Sequence, residues 1–268
     1  MDFRRKYGPW ALIAGASEGT GAAFARQLAE KGLNLILVAR REGPLAALAD
    51  RLRADHGVEC VTASVDLGAN DATARMIDAV AGREVGLFVS NAGADPNASQ
   101  FLDRDIEAWD ALAMRNVMTV MRSVHHFAGV MRERKRGGII LVGSGACYGG
   151  LPGIAAYSAT KAFDLMLGEG LWAELRPHGV DVLGLIMNRT DTPAHRELME
   201  RIGMSIPDDL ASAEDVAALG LERLPHGPVA NWGQADDEER FGGSAASRRD
   251  RIVKTSERAM SYLKGNPA

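Results

Sequence analysis

Tyr157 and Lys161 stand four residues apart in a segment with helical periodicity. Because four residues are just over one helical turn, the phenol and the ammonium project from the same helix face. A free tyrosine has a pKa of about 10, and a nearby cation lowers that pKa by favouring the phenolate. The pair is therefore suited to proton transfer near neutral pH. By itself, the same spacing also describes an exposed phenol beside a solvated lysine.

A glycine-rich turn lies between the first predicted strand and the first long predicted helix. It reads Gly15-Ala16-Ser17-Glu18-Gly19-Thr20-Gly21. Glycines allow a tight turn and close approach of the backbone to a pyrophosphate, and the helix N-terminus adds amide N–H groups and partial positive charge. The turn predicts a dinucleotide site. Its GxxxGxG spacing differs from the common GxGxxG, and a glycine turn without a ligand is the alternative.

The end of the second predicted strand indicates which dinucleotide would bind. NAD-binding proteins of this type usually carry Asp or Glu there for the ribose 2′-hydroxyl. This chain has Ala39, followed by Arg40 and Arg41. Because guanidinium groups suit a phosphate, the pair favours NADP(H) over NAD. Glu18 and Glu42 weaken this prediction slightly, and two arginines that only solvate a loop are the alternative.

Composition sets the broad class. The 268 residues are 46% hydrophobic and carry a net charge of −4, which allows one large core and does not favour nucleic acid as a partner. Cys60 and Cys147 are too few and too distant for a disulfide framework or a metal site. No run approaches the roughly 20 apolar residues of a membrane span, and the N-terminus does not resemble a signal peptide. We expect a cytoplasmic protein.

Apolar runs alternate with helical patterns and predict an α/β fold. The predicted strands are 10–14, 34–39, 58–63, 85–90, 139–143, 180–186 and a weaker 228–232. The predicted helices include 21–31, 44–55, 71–80, 106–131 and 155–176. Such alternation favours a single doubly wound Rossmann domain, with a mainly parallel seven-stranded sheet and helices on both faces. We expect this domain to span 1–233, and 234–268 to form a charged extension that ends in a short helix.

Five features in the same order resemble the short-chain dehydrogenase/reductase family, over nearly the whole chain to about residue 195. Besides the glycine turn, they are Asp66-Leu67, Ser90-Asn91-Ala92-Gly93, Asn116, and Ser144 with the Tyr157-Ser158-Ala159-Thr160-Lys161 segment. The sequences at 7–21, 32–40 and 154–163 are most similar to 17β-hydroxysteroid dehydrogenases and very-long-chain 3-oxoacyl-CoA reductases. The resemblance also implies a homodimer or homotetramer.

The resemblance implies a catalytic set of Asn116, Ser144, Tyr157 and Lys161. Tyr157 would donate a proton to a ketone oxygen, and Ser144 would hydrogen-bond the same oxygen. Lys161 would lower the pKa of Tyr157 and bond the nicotinamide ribose, while Asn116 would hold a water that links Lys161 to solvent. The cofactor contacts expected from the turn and the resemblance are Gly15, Ser17, Glu18, Gly19, Thr20, Gly21, Arg40, Arg41, Asp66, Leu67, Asn91, Ala92, Gly93, Tyr157, Lys161, Asn188, Thr190 and Thr192.

Two apolar stretches predict the substrate pocket. One follows Ser144, and the other is a short helix ended by Gly203 within a lid near 190–210. The pocket residues expected are Cys147, Tyr148, Leu151, Met187, Met199 and Ile202. These walls favour a bulky neutral substrate that is steroid-like, long-chain or aromatic. The alternative is that the lid helix packs onto the protein body. Met187-Asn188 replaces the Pro-Gly that is common in the family, in the segment that normally runs past the nicotinamide.

Three functions remain after the sequence alone. The first is an NADP(H)-dependent oxidoreductase that interconverts a ketone and a secondary alcohol. The second is a non-catalytic NADPH-binding regulator, which would have no use for Tyr157. The third is another chemistry of the same family, such as enoyl reduction or epimerisation.

Overall fold

The strands form where leucine and β-branched residues run together between polar turns. The computed structural model describes residues 2–95, 98–201, 203–206, 208 and 210–232. Its strands are β1 (Trp10–Ala14), β2 (Asn34–Ala39), β3 (Cys60–Ser64), β4 (Val85–Ser90), β5 (Gly137–Ser144), β6 (Val180–Met187), β7 (Thr190–Asp191), β8 (Ala211–Ser212) and β9 (Val229–Asn231). Its helices are α1 (Phe3–Tyr7), α2 (Gly19–Glu30), α3 (Glu42–His56), α4 (Ala72–Val80), α5 (Ile106–Ala113), α6 (Thr119–Glu133), α7 (Ala155–Leu175), α8 (Pro193–Arg201) and α9 (Ala213–Arg223).

Seven parallel strands form one sheet in the order β3-β2-β1-β4-β5-β6-β9, and β7 pairs separately with β8. This confirms the predicted α/β fold with a doubly wound, seven-stranded parallel sheet. The strand order reverses direction between β1 and β4. Open α/β sheets leave a crevice for ligands at the carboxyl ends of the strands where this reversal occurs. The fold therefore places the ends of β1 and β4 at the expected binding site.

Helices cover both faces of the sheet and create two buried apolar layers. One layer joins the sheet to α2, α3 and α9, with Phe24, Leu45 and Val216 among its members. The other joins it to α4, α6 and α7, with Met76 and Phe127 among its members. Every residue of β1 and β4 is buried, as expected for central strands with helices on both sides. Their backbone directions at the crevice are thus fixed by packing from both faces.

The element boundaries follow the sequence pattern closely, with one interruption. The predicted strands 10–14, 34–39 and 85–90 match β1, β2 and β4, and the weak 228–232 prediction corresponds to β9. The predicted helix 106–131 is instead α5 and α6 joined by a π-helical turn over Met114–Met118. In that turn the Thr119 N–H bonds to the Met114 carbonyl, five residues back. The apolar periodicity does not register this single widened turn.

Two helices lie outside the sequence predictions. Helix α1 has five residues, and its buried Tyr7 donates a hydrogen bond from the hydroxyl to Asp181 Oδ2 at 2.6 Å. Helix α9 packs its apolar side against α2, and its N-terminus is capped by the Ser212 hydroxyl. The predicted C-terminal extension, 234–268, lies outside the described residues. Among those that are described, no helix is long and apolar enough to cross a membrane.

Candidate active site

The turn after β1 needs glycine at several positions because other backbone lies directly against it. Gly15 has a φ of +89°, and a Cβ there would lie 2.8 Å from the Ala92 nitrogen. A Cβ on Gly21 would lie 1.9 Å from the Gly15 oxygen. The Asn91 amide donates to that oxygen at 2.9 Å. The turn is therefore locked to the end of β4, and the N-terminus of α2 faces the crevice with its free amides.

The turn also holds a buried polar atom that lacks a partner. Thr20 is 3% exposed, and its hydroxyl makes no hydrogen bond within the part of the chain that the structure describes. Ser17 and Glu18 are only partly buried at the mouth of the turn. A hydroxyl and a row of amide donors at a helix N-terminus match what a pyrophosphate accepts.

Asn116 lies in the π-helical turn, fully buried behind the end of β4. Its side-chain amide donates to the Gly93 oxygen and to the Thr160 hydroxyl, both at 3.1 Å. Its Oδ1 atom is buried and accepts no hydrogen bond from any described residue. An orphaned amide oxygen at this point is suited to hold a water. The predicted water-holding role of Asn116 thus has a free acceptor to support it.

Tyr157 and Lys161 share the inner face of α7, as the four-residue spacing predicts. Tyr157 is half-buried, whereas Lys161 is 3% exposed. The Lys161 Nζ donates to the Val142 oxygen and to Asp164 Oδ2, both at 3.0 Å. Burial by itself lowers the pKa of Lys161, but the attraction of Asp164 and then of Tyr157 outweighs burial and raises it. Lys161 is therefore a cation held beside the tyrosine.

Asp164 is a site residue that the sequence analysis missed. Its side chain is 5% exposed, and burial raises the pKa of its carboxyl while Lys161 opposes that shift. Its Oδ1 atom has no hydrogen-bond partner among the described residues. A carboxylate three residues after a lysine on one helix face is the signal that could have revealed the pair. The ion pair fixes where the ammonium points.

Ser144 ends β5, and Cys147 lies in the short turn that follows this strand. The Ser144 Oγ accepts a 3.3 Å hydrogen bond from the Ala146 N–H, so it caps this turn. An accepting hydroxyl keeps its own proton free to donate to a substrate oxygen. Burial raises the pKa of the Cys147 thiol to about 12, although Lys161 partly opposes this. Cys147 is thus an uncharged, half-buried thiol near the ammonium.

The segment after β6 contacts the glycine turn. A Cβ on Gly19 would lie 2.9 Å from Thr192 Cγ2, so the two segments are in direct contact. The Thr192 hydroxyl caps α8 by accepting from the His195 N–H at 3.2 Å, and the buried Thr190 hydroxyl donates to the Asn188 oxygen. Asn188 is exposed. Thr190 and Thr192 therefore border the position expected for the pyrophosphate.

The arginines after β2 differ in their surroundings. Arg41 forms an ion pair with Glu18 of the glycine turn, and both side chains are partly exposed. Arg40 is exposed, and its backbone oxygen accepts from the Ser64 hydroxyl at 3.0 Å. Nearby, Asp66 Oδ1 accepts from the Gly68 N–H at 2.9 Å, which orders the turn after β3 and places buried Leu67 toward the core.

The family model for short chain dehydrogenases matches residues 9–203. The chain belongs to the short-chain dehydrogenase family. This confirms the resemblance, and the chain is accordingly an oxidoreductase of a family that binds a nicotinamide cofactor. The site residues above lie within the matched range.

Two relatives show which members of the family this chain is similar to. The chain is 32% identical over 257 residues to a 7beta-hydroxysteroid dehydrogenase of Clostridium sardiniense, covering 95% of this chain and 97% of that one. It is 35% identical to a very-long-chain 3-oxoacyl-CoA reductase of Podospora anserina, covering 76% of this chain and 61% of the relative.

Solved structures agree with these relatives. A structure from a study of 7beta-hydroxysteroid dehydrogenase stereoselectivity superposes with a TM-score of 0.85 at 27% identity, covering 96% of this chain and 100% of the other. A short-chain dehydrogenase from Sphingobium yanoikuyae in complex with NADPH gives a TM-score of 0.76 at 28% identity, covering 95% and 96%.

The predicted pocket residues of the dehydrogenase lie in different settings. Cys147 and Leu151 are half-buried beside the tyrosine helix, whereas Tyr148 donates from its hydroxyl to Asn231 Oδ1 at 2.6 Å. Met187 packs against the core layer of α2 and α9. Met199 is 8% exposed, so the inner face of α8 packs against other residues, and Ile202 lies outside the described residues.

The residues of the crevice fit a nicotinamide dinucleotide. The glycine turn and the unpartnered Thr20 hydroxyl suit the pyrophosphate, and Asn91, Ala92 and Gly93 form the adjoining wall. Gly93 is required there because a Cβ would lie 2.8 Å from Lys161 Nζ. Among the described residues, no three His, Cys, Asp or Glu side chains could together hold a metal ion.

Proposed function

We propose that this short-chain dehydrogenase uses NADP(H) to interconvert a ketone and a secondary alcohol on a bulky, largely apolar substrate. The observation that carries the proposal is the buried Lys161 ammonium, which is fixed by Asp164 and lies beside Tyr157. The Tyr157 hydroxyl is the group at this point that can give or take a proton, and the fixed ammonium lies on the same helix face. A regulator that only senses cofactor would not need this arrangement.

The chemistry of reduction divides between cofactor and protein. When bound, the nicotinamide supplies the hydride that the ketone carbon accepts. Tyr157 donates its hydroxyl proton to the ketone oxygen, and Ser144 donates a hydrogen bond to the same oxygen as it becomes an alkoxide. Lys161 has one N–H beyond its bonds to Val142 and Asp164, and that N–H is available to the phenol or the ribose. A water on Asn116 Oδ1 would return a proton from solvent.

The choice of NADP(H) rests on charge at the end of β2. The ordinary carboxylate for a ribose 2′-hydroxyl is replaced by Ala39, and Arg40 follows it. The similarity to a dehydrogenase solved with NADPH supports the same choice. The names of the relatives support a steroid-like or long-chain acyl substrate, which agrees with the apolar residues after Ser144.

Initial rates test this proposal with a panel of steroid ketones, 3-oxoacyl thioesters and diaryl ketones, set against short carboxylated ketones. We expect kcat/KM for NADPH to exceed that for NADH by at least about tenfold, or ~1.4 kcal/mol. We also expect turnover of at least one bulky class and little of the short ketones. Equal cofactor use would contradict the NADP(H) assignment, and activity confined to short carboxylated ketones would contradict the substrate class.

A further inference from the structure

Arg115 lies on the wall of the cofactor crevice, in the π-helical turn just before Asn116. It is half-buried, and its Nη2 lies 3.6 Å from the position that a Cβ on Gly68 would take. The side chain also borders a small cavity that Leu67 and Ala92 line. Leu67 and Ala92 are among the expected cofactor contacts. The guanidinium therefore lies beside the turn after β3, where the expected cofactor contacts Asp66 and Leu67 are found.

The Arg115 guanidinium has charged neighbours but no direct bonding partner among the described residues. Within the described ranges, its guanidinium makes no hydrogen bond to the protein and no ion pair. Burial lowers the pKa of Arg115, and the nearby Arg40 lowers it further, while Asp66 and Asp95 act in the opposite direction. The Asp66 Oδ1 atom already accepts a hydrogen bond from the Gly68 N–H. Two arginines thus face one crevice, and a half-buried unpaired cation is unfavourable until an anion joins it.

Arg41 is in the opposite situation. The ion pair with Glu18 already compensates its charge, and its side chain is 53% exposed. Recruiting Arg41 to a phosphate would require that pair to break or to share its cation with the anion. Arg40 and Arg115 need no such exchange among the described residues, since neither guanidinium is engaged in an ion pair there.

We propose that Arg115, together with Arg40, binds the 2′-phosphate of NADP(H), and that Arg115 takes the place sequence reasoning gave to Arg41. This inference rests on the proposed use of NADP(H). A 2′-phosphate between the two guanidinium groups would relieve their repulsion and accept charge-assisted hydrogen bonds from both. Arg115 is then a specificity-determining residue contributed by the helix that also carries Asn116.

The test uses two fragments that differ by this phosphate, 2′,5′-ADP and 5′-AMP, with affinities measured by isothermal titration calorimetry. We expect Arg115→Gln to weaken 2′,5′-ADP by about tenfold or more while 5′-AMP changes by less than about twofold. Arg41→Gln is the second arm of the test, because the inference gives the role of Arg41 to Arg115 and Arg41 is already paired with Glu18. It should change 2′,5′-ADP affinity by less than about threefold.

The outcomes separate this inference from the proposed function. Equal weakening of both fragments by Arg115→Gln, or no effect on either, overturns the role of Arg115 while leaving the NADP(H) preference intact. A wild-type protein that binds 2′,5′-ADP no better than 5′-AMP overturns both. If the glutamine variant does not fold, Arg115→Lys decides: selective weakening of 2′,5′-ADP supports the inference, and unchanged affinity for both fragments contradicts it.

Discussion

Lys161 is held in the protein interior on the same helix face as Tyr157, and we propose that it also contacts the cofactor. Two of its three N–H groups are bonded to Val142 and Asp164, which leaves one for catalysis. A buried ammonium is costly to desolvate, and a partner carboxylate offsets much of that cost. Asp164 is therefore a positioning residue, since it acts on the reaction only through Lys161.

Replacing Asp164 by Asn tests this role. The variant keeps the shape of the side chain but removes the attraction that raises the pKa of Lys161, while burial continues to lower it. Lys161 should then lose its proton at lower pH than in the wild type. We expect the alkaline decline of kcat to move to lower pH by at least about one unit.

The matched control is Asp164→Glu, which keeps a carboxylate and should stay closer to the wild-type pH profile. The measurement is kcat against pH under saturating cofactor and ketone. A folded Asp164→Asn enzyme with the same profile as the wild type would show that Lys161 does not depend on Asp164.

The sequence identifies the residues that lie close in the chain better than those that meet through the fold. The Tyr157 and Lys161 spacing predicts their shared helix face, and the structure has it. The same spacing argument could have identified Asp164, because it lies three residues after Lys161 on that helix face. The Arg41 and Glu18 pair joins residues 23 positions apart. Arg115 and Arg40 are far apart in sequence and influence each other electrostatically only through the fold, which no local pattern reports.

At the scale of elements, the end of β4 and the π-helical turn together build the floor of the site. Gly93 has a φ of +151°, and a Cβ there would lie 2.8 Å from Lys161 Nζ and 3.3 Å from Asn116 Oδ1. The strand end must therefore carry glycine for the lysine and the asparagine to hold their positions. A methyl group at position 93 would therefore displace both side chains that we propose as catalytic, while their own sequence stays unchanged.

Gly93→Ala is expected to lower kcat by at least about tenfold, because the methyl group displaces the lysine ammonium and strains the backbone. Gly170→Ala on α7 is the matched control, since a Cβ there meets nothing within 4 Å. It should leave kcat unchanged and stabilise the helix by up to ~1 kcal/mol. Steady-state kinetics and thermal denaturation measure the two effects. Unchanged kcat in Gly93→Ala would contradict the account of this floor.

Element prediction from sequence succeeds where burial is continuous and fails where contacts are tertiary. The apolar runs of β1, β2 and β4 fix those strands at the expected bounds because every residue in them except Asn34 is buried. Helix α1 is too short to be stable alone and depends on the distant Tyr7 to Asp181 hydrogen bond. The π-helical turn is equally hidden, because a widened turn preserves the apolar spacing on both sides of it.

At the scale of the whole molecule, the sheet brings four strand ends that carry site residues to one edge. The glycine turn follows β1, Arg40 follows β2, Gly93 follows β4 and Ser144 ends β5. Parallel strands direct all their carboxyl ends to the same side, so residues far apart in sequence meet there.

Exposed apolar side chains on α6 and α7, namely Met121, Val130 and Met166, suit the homodimer or homotetramer that we propose from the family.

The central claim is that this molecule transfers hydride from NADPH to a ketone carbon while Tyr157 supplies the proton. NADPH deuterated at both C4 positions tests it directly, with a bulky ketone as substrate and mass spectrometry and NMR of the product. We predict one deuterium on the carbinol carbon for each NADPH oxidised, and a loss of at least about a hundredfold in rate for Tyr157→Phe with NADPH affinity nearly unchanged. Deuterium on any carbon other than the carbinol carbon would contradict the account. So would the absence of transfer to every ketone of the panel, or a Tyr157→Phe enzyme that keeps a tenth of the wild-type rate.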